Sequence, residues 1–298
     1  MLPIMKRVVL GLERRGLLNW LPDKQYLELM YSAAMGKKLN LKKPQTFNEK
    51  LQWLKLYNRK PEYSIMVDKY LVREYIKDKI GEEYLIPLLG VWDNPDDIDF
   101  DALPKRFVLK CNHNSGKGMY ICKDKSLMNE DQVVSDLRAG LNQNYYLRGR
   151  EWPYKNVKPR ILAETYMEDK ILGELRDYKF FCFGGKVKCF KIDYDRFSEH
   201  RANYYTPRGE LLKFGEAVFP PNFEREISFP AKLEKMIELA EKLSLDHPFL
   251  RVDFYEVNDR IFFGELTFFP ASGFGSFVPE EWDLILGEWI NLPEGKKE

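Results

Sequence analysis

Leu250-Arg251-Val252-Asp253-Phe254 is followed, after a turn near Asn258-Asp259, by Phe263-Gly264-Glu265-Leu266-Thr267-Phe268. Side chains alternate across a strand, so Arg251 and Asp253 share one face while Val252 and Phe254 take the other. In the return strand Glu265 and Thr267 share a face, opposite Gly264, Leu266 and Phe268. A hairpin centred near Asp259 sets position 253 opposite position 265. One face is then apolar, and the other carries two carboxylates, a guanidinium and a hydroxyl. Two carboxylates this close repel unless a cation lies between them. An all-oxygen donor set of this kind suits Mg²⁺ held jointly with nucleotide phosphates, and Arg251 beside it would hold phosphate oxygens. A solvent-facing hairpin with an Arg-Asp pair has the same alternation, and these residues alone leave both readings open. The loop that follows, Pro270-Ala271-Ser272-Gly273-Phe274-Gly275, favours the first, because a Gly/Ser-rich turn can bring backbone N–H groups to an anion. Ser272 and Gly273 are substrate-binding candidates there.

The chain around this hairpin has 298 residues, 44% hydrophobic and 31% charged, with 47 Lys+Arg against 46 Asp+Glu. At about 100–200 residues per domain the length predicts about two lobes, and such a chain buries a full core without disulfides or structural metal. Disorder, collagen-like repeats and a staple-dependent scaffold are excluded. The charge is uneven: residues 1–60 hold 13 Lys/Arg and 4 Asp/Glu, a local charge of +9, which leaves −8 for the remainder. A basic front suits an anionic partner such as a phosphate-bearing glycan, a lipid headgroup or nucleic acid, and a solvated helical face accounts for it equally well. Cys111, Cys122, Cys182 and Cys189 lack C-x-x-C spacing and read as reduced, buried strand residues. Met5 to Leu12 is apolar but carries Lys6 and Arg7 and lacks a small-residue cleavage site, so it is not read as a signal peptide. No run approaches the length of a membrane span. A cytoplasmic location is expected, with peripheral membrane contact through the basic N-terminus as its variant.

The first 80 residues read as a helical region and residues 81–298 as the body. Thr46-Phe47-Asn48-Glu49 is a capping box ahead of Leu51, Leu54 and Tyr57. Pro61 opens a further helix expected to run to about Asp78. From Phe107 the texture changes to short strands at 107–111, 119–122, 160–166, 177–183, 186–194 and 248–268, an α+β or α/β pattern. Gly184-Gly185 joins two of them as a hairpin. A helix of about 15 residues follows Asn129, and another runs from Pro230 to Leu243.

Two further stretches carry chemistry. Phe107-Val108-Leu109-Lys110 runs into Cys111-Asn112-His113-Asn114-Ser115-Gly116-Lys117-Gly118, where a terminal Lys and a small polar loop form a candidate phosphate cradle; a plain hairpin turn fits the same residues. Arg160 to Met167 ends an apolar strand that could offer backbone groups to an adenine edge. In Asp177-Tyr178-Lys179 the outer two side chains share a face.

In this order, the three stretches resemble the ATP-grasp superfamily, with likeness to its D-alanine ligase branch in the Arg-Val-Asp-Phe strand and to the ribosomal-protein glutamate ligases in Asp177-Tyr178-Lys179. Phe47-Asn48-Glu49-Lys50-Leu51-Gln52-Trp53, Val108-Leu109-Lys110-Cys111, Asp177-Tyr178-Lys179-Phe180-Phe181 and Gly264-Glu265-Leu266-Thr267-Phe268 are similar to the TupA-like ATP-grasp family of capsule and teichuronopeptide biosynthesis, over about residues 25–290.

The resemblance implies an ATP-grasp fold of class α+β, with residues 107–165 as the first nucleotide-binding lobe and 166–298 as the second, and with ATP and Mg²⁺ as cofactors. Lys110 with Asn114, Ser115, Gly116 and Gly118 would hold phosphates; Glu164, Tyr166 and Met167 would form the adenine hinge; Asp177 would face the ribose or orient Lys179. Lys179 and Arg251 would neutralise the γ-phosphate, and Asp253, Glu265 and Thr267 would ligate the metal. Thr267 departs from the family, where Asn is usual, and puts a second magnesium in doubt; Lys117 between two glycines is a second departure. The implied reaction joins a carboxylate, expected on a uronic acid of a cell-surface glycan or its precursor, to an amine or amino acid through an acyl phosphate. No nucleic-acid partner is implied. Arg196, His200 and Arg201 are candidate acceptor-binding residues, the arginines as a carboxylate clamp and His200 as a base toward the amine. An ordinary surface loop is the competing reading of that segment. The alternative function is a sugar-nucleotide-dependent glycosyltransferase using Asp193 and Asp195 as a D-x-D metal site.

Overall fold

The computed structural model describes residues 3–169, 175–195 and 199–294. Five helices come first: α1 (Pro3–Arg14), α2 (Asp23–Met35), α3 (Phe47–Tyr57), α4 (Glu62–Val67) and α5 (Val72–Lys79). The capping box that opens α3 is present in full, with the Thr46 hydroxyl accepting from the Glu49 N–H and the Glu49 carboxylate accepting from the Thr46 N–H. The single helix expected from Pro61 to Asp78 is in fact two. Asp68 is extended (ψ 111°) and its carboxylate accepts the N–H groups of Tyr70 and Leu71 at 2.8 and 3.2 Å. Its side chain thus takes donors that a new helix start leaves open. Helical periodicity continues through the break, which is why spacing alone misses it.

The first sheet has the order β1-β4-β2-β3, all antiparallel, from β1 (Leu88–Trp92), β2 (Phe107–Cys111), β3 (Met119–Cys122) and β4 (Ile161–Thr165). Helix α6 (Glu130–Leu141) closes one face, where Val133 and Leu137 meet Phe107, Leu109, Ile161 and Ala163. The second sheet contains β5 (Asp177–Phe183), β6 (Lys186–Tyr194), β7 (Arg201–Tyr205), β8 (Leu211–Leu212), β10 (Phe249–Val257) and β11 (Arg260–Thr267), in the order β11-β10-β5-β6-β7-β8. Helix α7 (Leu233–Ser244) covers its apolar face through Met236, Leu239, Ala240 and Leu243. Short strands β9 (Gly215–Glu216) and β12 (Phe277–Val278) pair beside it, ahead of α8 (Trp282–Glu288).

The expected boundary at residue 80 is not a break in packing. Phe47, Leu51 and Leu54 of α3 and Met66, Val72 and Ile76 of α4–α5 share one core with Phe180, Phe249, Val252 and Leu266 of the second sheet. Helices α1 and α2 pack in a separate cluster around Tyr26, Leu27, Met30 and Tyr31. The fully buried Arg150 fastens that cluster to the body: its guanidinium donates to the Asn19 and Leu21 carbonyls at 2.9 and 3.1 Å and lies over the Tyr26 ring.

Candidate active site

The β10–β11 hairpin meets its expected register by an unexpected route. Asn258 and Asp259 both have positive φ (49° and 62°), the two-residue turn that matches strand twist. Continued without interruption, that turn would set position 253 opposite 264. A register shift between Asp253 and Phe254 makes Gly264 the extra residue and pairs Asp253 with Glu265. A Cβ at Gly264 would lie 3.0 Å from the Asp253 carbonyl oxygen, so the bulge needs the bare backbone.

The sheet then lays a row of charge across four strands, because Glu265 pairs with Asp253, Asp253 with Lys179, and Lys179 with Lys191. Arg251 donates from Nε and Nη2 to the two Asp253 oxygens, both at 2.7 Å, and from Nη2 to Glu265 Oε1 at 2.6 Å. Lys179 Nζ reaches Asp253 Oδ2 at 3.1 Å and also bonds Asp177. Thr267 donates to Glu265 Oε1 at 3.0 Å, so its hydroxyl serves the carboxylate. Asp253 is 1% exposed whereas the Glu265 side chain is 45% exposed. Burial pushes the Asp253 carboxyl upward, against Arg251 and Lys179. Burial acts the same way on Glu265, yet Arg251, Lys179 and Lys69 outweigh it and hold that carboxyl at about 2. Burial would lower Lys179, but Asp177 and Asp253 raise it. Two oxygen-only carboxylate groups on neighbouring strands, one of them opening into a cleft, have the donor chemistry of a Mg²⁺ site shared with phosphates, with Glu265 as the open donor and Arg251 already bridging the pair. Among the described residues no group of three His, Cys, Asp or Glu side chains converges as an all-protein metal cage.

The facing wall of the cleft comes from the first sheet and the α4–α5 break. Lys69, Arg73, Lys110 and Glu164 line it together with Tyr154, Gly264 and Glu265. Lys110 binds Glu164 at 2.6 Å and Arg73 lies 3.6 Å from the same carboxylate. Lys69 donates to the Asn114 carbonyl at 2.6 Å; burial lowers its pKa, against the pull of Glu265. Helical spacing alone puts Lys69 and Arg73 in an unbroken helix and does not mark them as site residues; Asp68, a capping residue inside an apolar periodicity, is the signal that does. The expected phosphate loop is braced from behind. Asn112 binds Lys158 O and Arg160 N–H, Asn114 donates to Gly140 O at 3.0 Å, and His113 meets Gln143 O. Ser115, Gly116 and Lys117 stand exposed at its crest. The hinge residues separate: Glu164 is 6% exposed within its ion pairs, Tyr166 lies under the Arg106 guanidinium, and Met167 packs with Ile86 and Phe262.

The loop after β11 is tied back. Ala271, Ser272 and Gly273 all have positive φ, the Ser272 N–H donates to Phe269 O at 2.8 Å, and its hydroxyl bonds Glu151. The buried Lys55 and Gln52 of α3 donate to the Ser272 carbonyl at 2.7 and 3.1 Å, and Gln52 to that of Gly273 at 2.6 Å. The Ser272 donors expected to meet an anion are thus engaged within the protein. Burial takes Lys55 down to about 7. Of the acceptor candidates, Arg196 lies outside the described residues and Arg201 turns to Glu199 at 3.1 Å. His200 is brought in: its Nε2 is 2.9 Å from Asp193 Oδ1, and Asp193 Oδ2 is 3.6 Å from Lys179. Lys191, 3.2 Å from Glu216, completes this inner network. The D-x-D expectation does not hold as geometry. Asp195 adopts positive φ (53°) and pairs with Arg225, whereas Asp193 binds His200, because the left-handed residue ends the strand alternation.

Residues 49–291 match the family described as TupA-like ATPgrasp. The chain belongs to the TupA-like ATP-grasp family. This TupA-like chain also has shape likeness to solved structures. They include D-alanine–D-alanine ligase from Bacillus anthracis complexed with ATP (18% identity, 68% of this chain, 53% of that one, TM-score 0.40). The same enzyme from Helicobacter pylori gives 16% identity, 82% and 69% coverage and a TM-score of 0.43. A RimK domain ATP-grasp protein from Sphaerobacter thermophilus gives 11%, 78%, 70% and 0.43. The TupA-like chain spans about half the length of the first of these, and at such scores the assignment rests on the family match alone. No curated protein matches the sequence. The α+β architecture of two antiparallel sheets with a cleft between them is that of an ATP-grasp protein.

Proposed function

We propose that this protein is an ATP-dependent carboxylate–amine ligase acting on a uronic-acid carboxylate of a capsular or cell-wall polysaccharide, or of its precursor. The observation that carries the reading is one cleft in which Lys69, Arg73 and Lys110 face the Glu265 end of the Arg251–Asp253–Lys179 row. Cations on both walls with carboxylates between them suit a transferring phosphoryl group, whose charge must be neutralised without a covalent enzyme intermediate.

ATP supplies the phosphoryl group: an acceptor carboxylate oxygen bonds to the γ-phosphorus as the bond to the bridging oxygen of ADP breaks, giving an acyl phosphate. Magnesium, held by Asp253 and Glu265, would supply further charge neutralisation there. Lys179 and Arg251 hold the two carboxylates in place and present positive charge to the phosphates. Lys69 and Lys110 present positive charge from the opposite wall. The amine then bonds to the acyl carbon, phosphate leaves, and His200, held by Asp193 one side chain away from Lys179, takes the amine proton. An acidic acceptor is favoured because Lys69, Arg73 and Lys110 line the cleft with positive charge.

The test is thermal unfolding with Mg-ATP and, separately, Mg-UDP-sugars, in wild type and Asp253→Asn. Stabilisation by Mg-ATP of several degrees at saturating nucleotide, weakened in the variant, followed by ADP release with uronic acids plus amines, is the expected result. Stabilisation by a UDP-sugar alone, unaffected at Asp253, would overturn the proposal.

A further inference from the structure

Helix α1 buries one flank and leaves another bare. Val9 is buried, and Leu10 and Leu12 pack on the α2 cluster of Tyr26, Leu27, Met30 and Tyr31. Ile4 is 77% exposed and Val8, one helical turn on, is 53% exposed. Met5 and, beyond the helix, Leu17 and Trp20 are exposed as well, Trp20 at 76%. At 100° per residue Arg7 and Arg14 fall on the same line and border the Ile4–Val8 edge, and both are exposed, as are Lys6 and Arg15. Ile4 and Val8 thus lie beside the cations Arg7 and Arg14 on one edge of a short helix, ahead of an exposed Trp20 in the turn that follows, in the part of the chain whose charge is +9.

From this arrangement we infer that α1 and the turn after it dock on an anionic lipid bilayer, with α1 lying in the plane of the surface. Charge complementarity selects the occupant. A helix that buries its apolar edge among acyl chains while Lys and Arg meet headgroups needs this side-by-side pattern, and Trp favours the same interface. A protein partner would have to offer apolar and acidic surface at once, which an anionic bilayer does without specific design. Among the described residues no helix is long and apolar enough to cross a membrane, so the contact is peripheral. The docking element is also rigidly connected to the site. Arg150 clamps the α1–α2 turn, and the next residue, Glu151, bonds Ser272 in the loop after β11. A bilayer-bound α1 therefore holds the cleft in a set orientation to the surface, where a lipid-linked acceptor is presented. The docking itself does not depend on the ligase reading, because lipid binding is measured without turnover.

The experiment is flotation of the full chain with vesicles of 30 mol% phosphatidylglycerol in phosphatidylcholine and with vesicles of phosphatidylcholine alone. Wild type is expected to float with the anionic vesicles only and to lose binding as salt is raised. Each basic residue at such a surface changes partition about fivefold, so Arg7→Glu/Arg14→Glu should lower it more than tenfold, and Val8→Asp should lower it as well. All these positions are exposed, and unchanged unfolding midpoints and Mg-ATP stabilisation in the variants show that they fold. Equal flotation with both vesicle types, or equal partition of wild type and variants, overturns the inference. So does a wild-type dimer by sedimentation that Val8→Asp dissociates in the absence of vesicle binding, which would assign the face to a second copy of the chain.

Discussion

Replacing Arg251 by Met removes the cation that stands between Asp253 and Glu265 while keeping a side chain of similar length. Three short donor contacts are lost, two to Asp253 and one to Glu265. Asp253 is 1% exposed and cannot recover the loss from water. Breaking a buried pair from one side costs about 3–5 kcal/mol, and the low end applies here because Lys179 stays 3.1 Å from Asp253. Glu265, 45% exposed, rehydrates and adds at most about 1 kcal/mol. A loss of about 3–4 kcal/mol at pH 7 follows, which for a chain of this size lowers the midpoint by roughly 6–15 °C. The assay is urea and thermal unfolding of wild type, Arg251→Met and Arg251→Met/Asp253→Asn. If the cost is a stranded buried charge, the second substitution recovers most of it. Glu265 supplies the pH signature. Its carboxyl sits at about 2 in the folded chain against an ordinary 4.5, so its contribution is complete above about pH 4.5 and is lost as pH falls from there through 2. The gap between wild type and Arg251→Met should narrow over that window. A single variant within 1 kcal/mol of wild type, or a double variant no more stable than the single one, refutes the reasoning.

Lys69→Met and Lys110→Met should each weaken Mg-ATP binding about 10- to 100-fold in calorimetric titration, the loss of one charge-assisted bond; unchanged affinity would remove the phosphates from this cleft. Gly118→Ala places a Cβ 2.5 Å from Cys111 Sγ and 3.0 Å from Gly140 Cα at a φ of 68°, while Gly116→Ala at φ 90° meets nothing within 4 Å. The first should therefore cost more than the second, about 2–4 against about 1 kcal/mol by urea unfolding, and equal costs would count against the close packing described. His200→Gln should slow amide formation about 10²- to 10⁴-fold while leaving hydroxylamine trapping of the acyl phosphate near wild type; equal loss in both assays would place His200 outside the proton-transfer step.

Much of the site was legible as local pattern. Period-two alternation put Arg251 with Asp253 and Glu265 with Thr267, and turn chemistry at Asn258-Asp259 announced the hairpin. Its register came out as expected only because an unforeseen bulge at Gly264 offset a turn tighter than the one assumed. Capping residues mark the start of α3, whereas Asp68, a capping residue of the same kind, is masked by the helical spacing on either side of it. The Asp193/Asp195 pairing failed because alternation holds only while backbone stays extended, and Asp195 does not.

By itself the sequence determined which residues share a strand face, where the chain turns, and that its first 60 residues are basic, since each of these depends on neighbours within a few positions. Tertiary structure decided which charges meet. Lys69 reaches Asn114 across 45 positions, Lys179 reaches Asp253 across 74, and Lys55 reaches Ser272 across 217. No periodicity encodes such distances, because they follow from how helices and sheets remote in sequence pack against one another. The same packing decided that the loop after β11 is braced by α3 and Glu151, and that one flank of α1 is left bare.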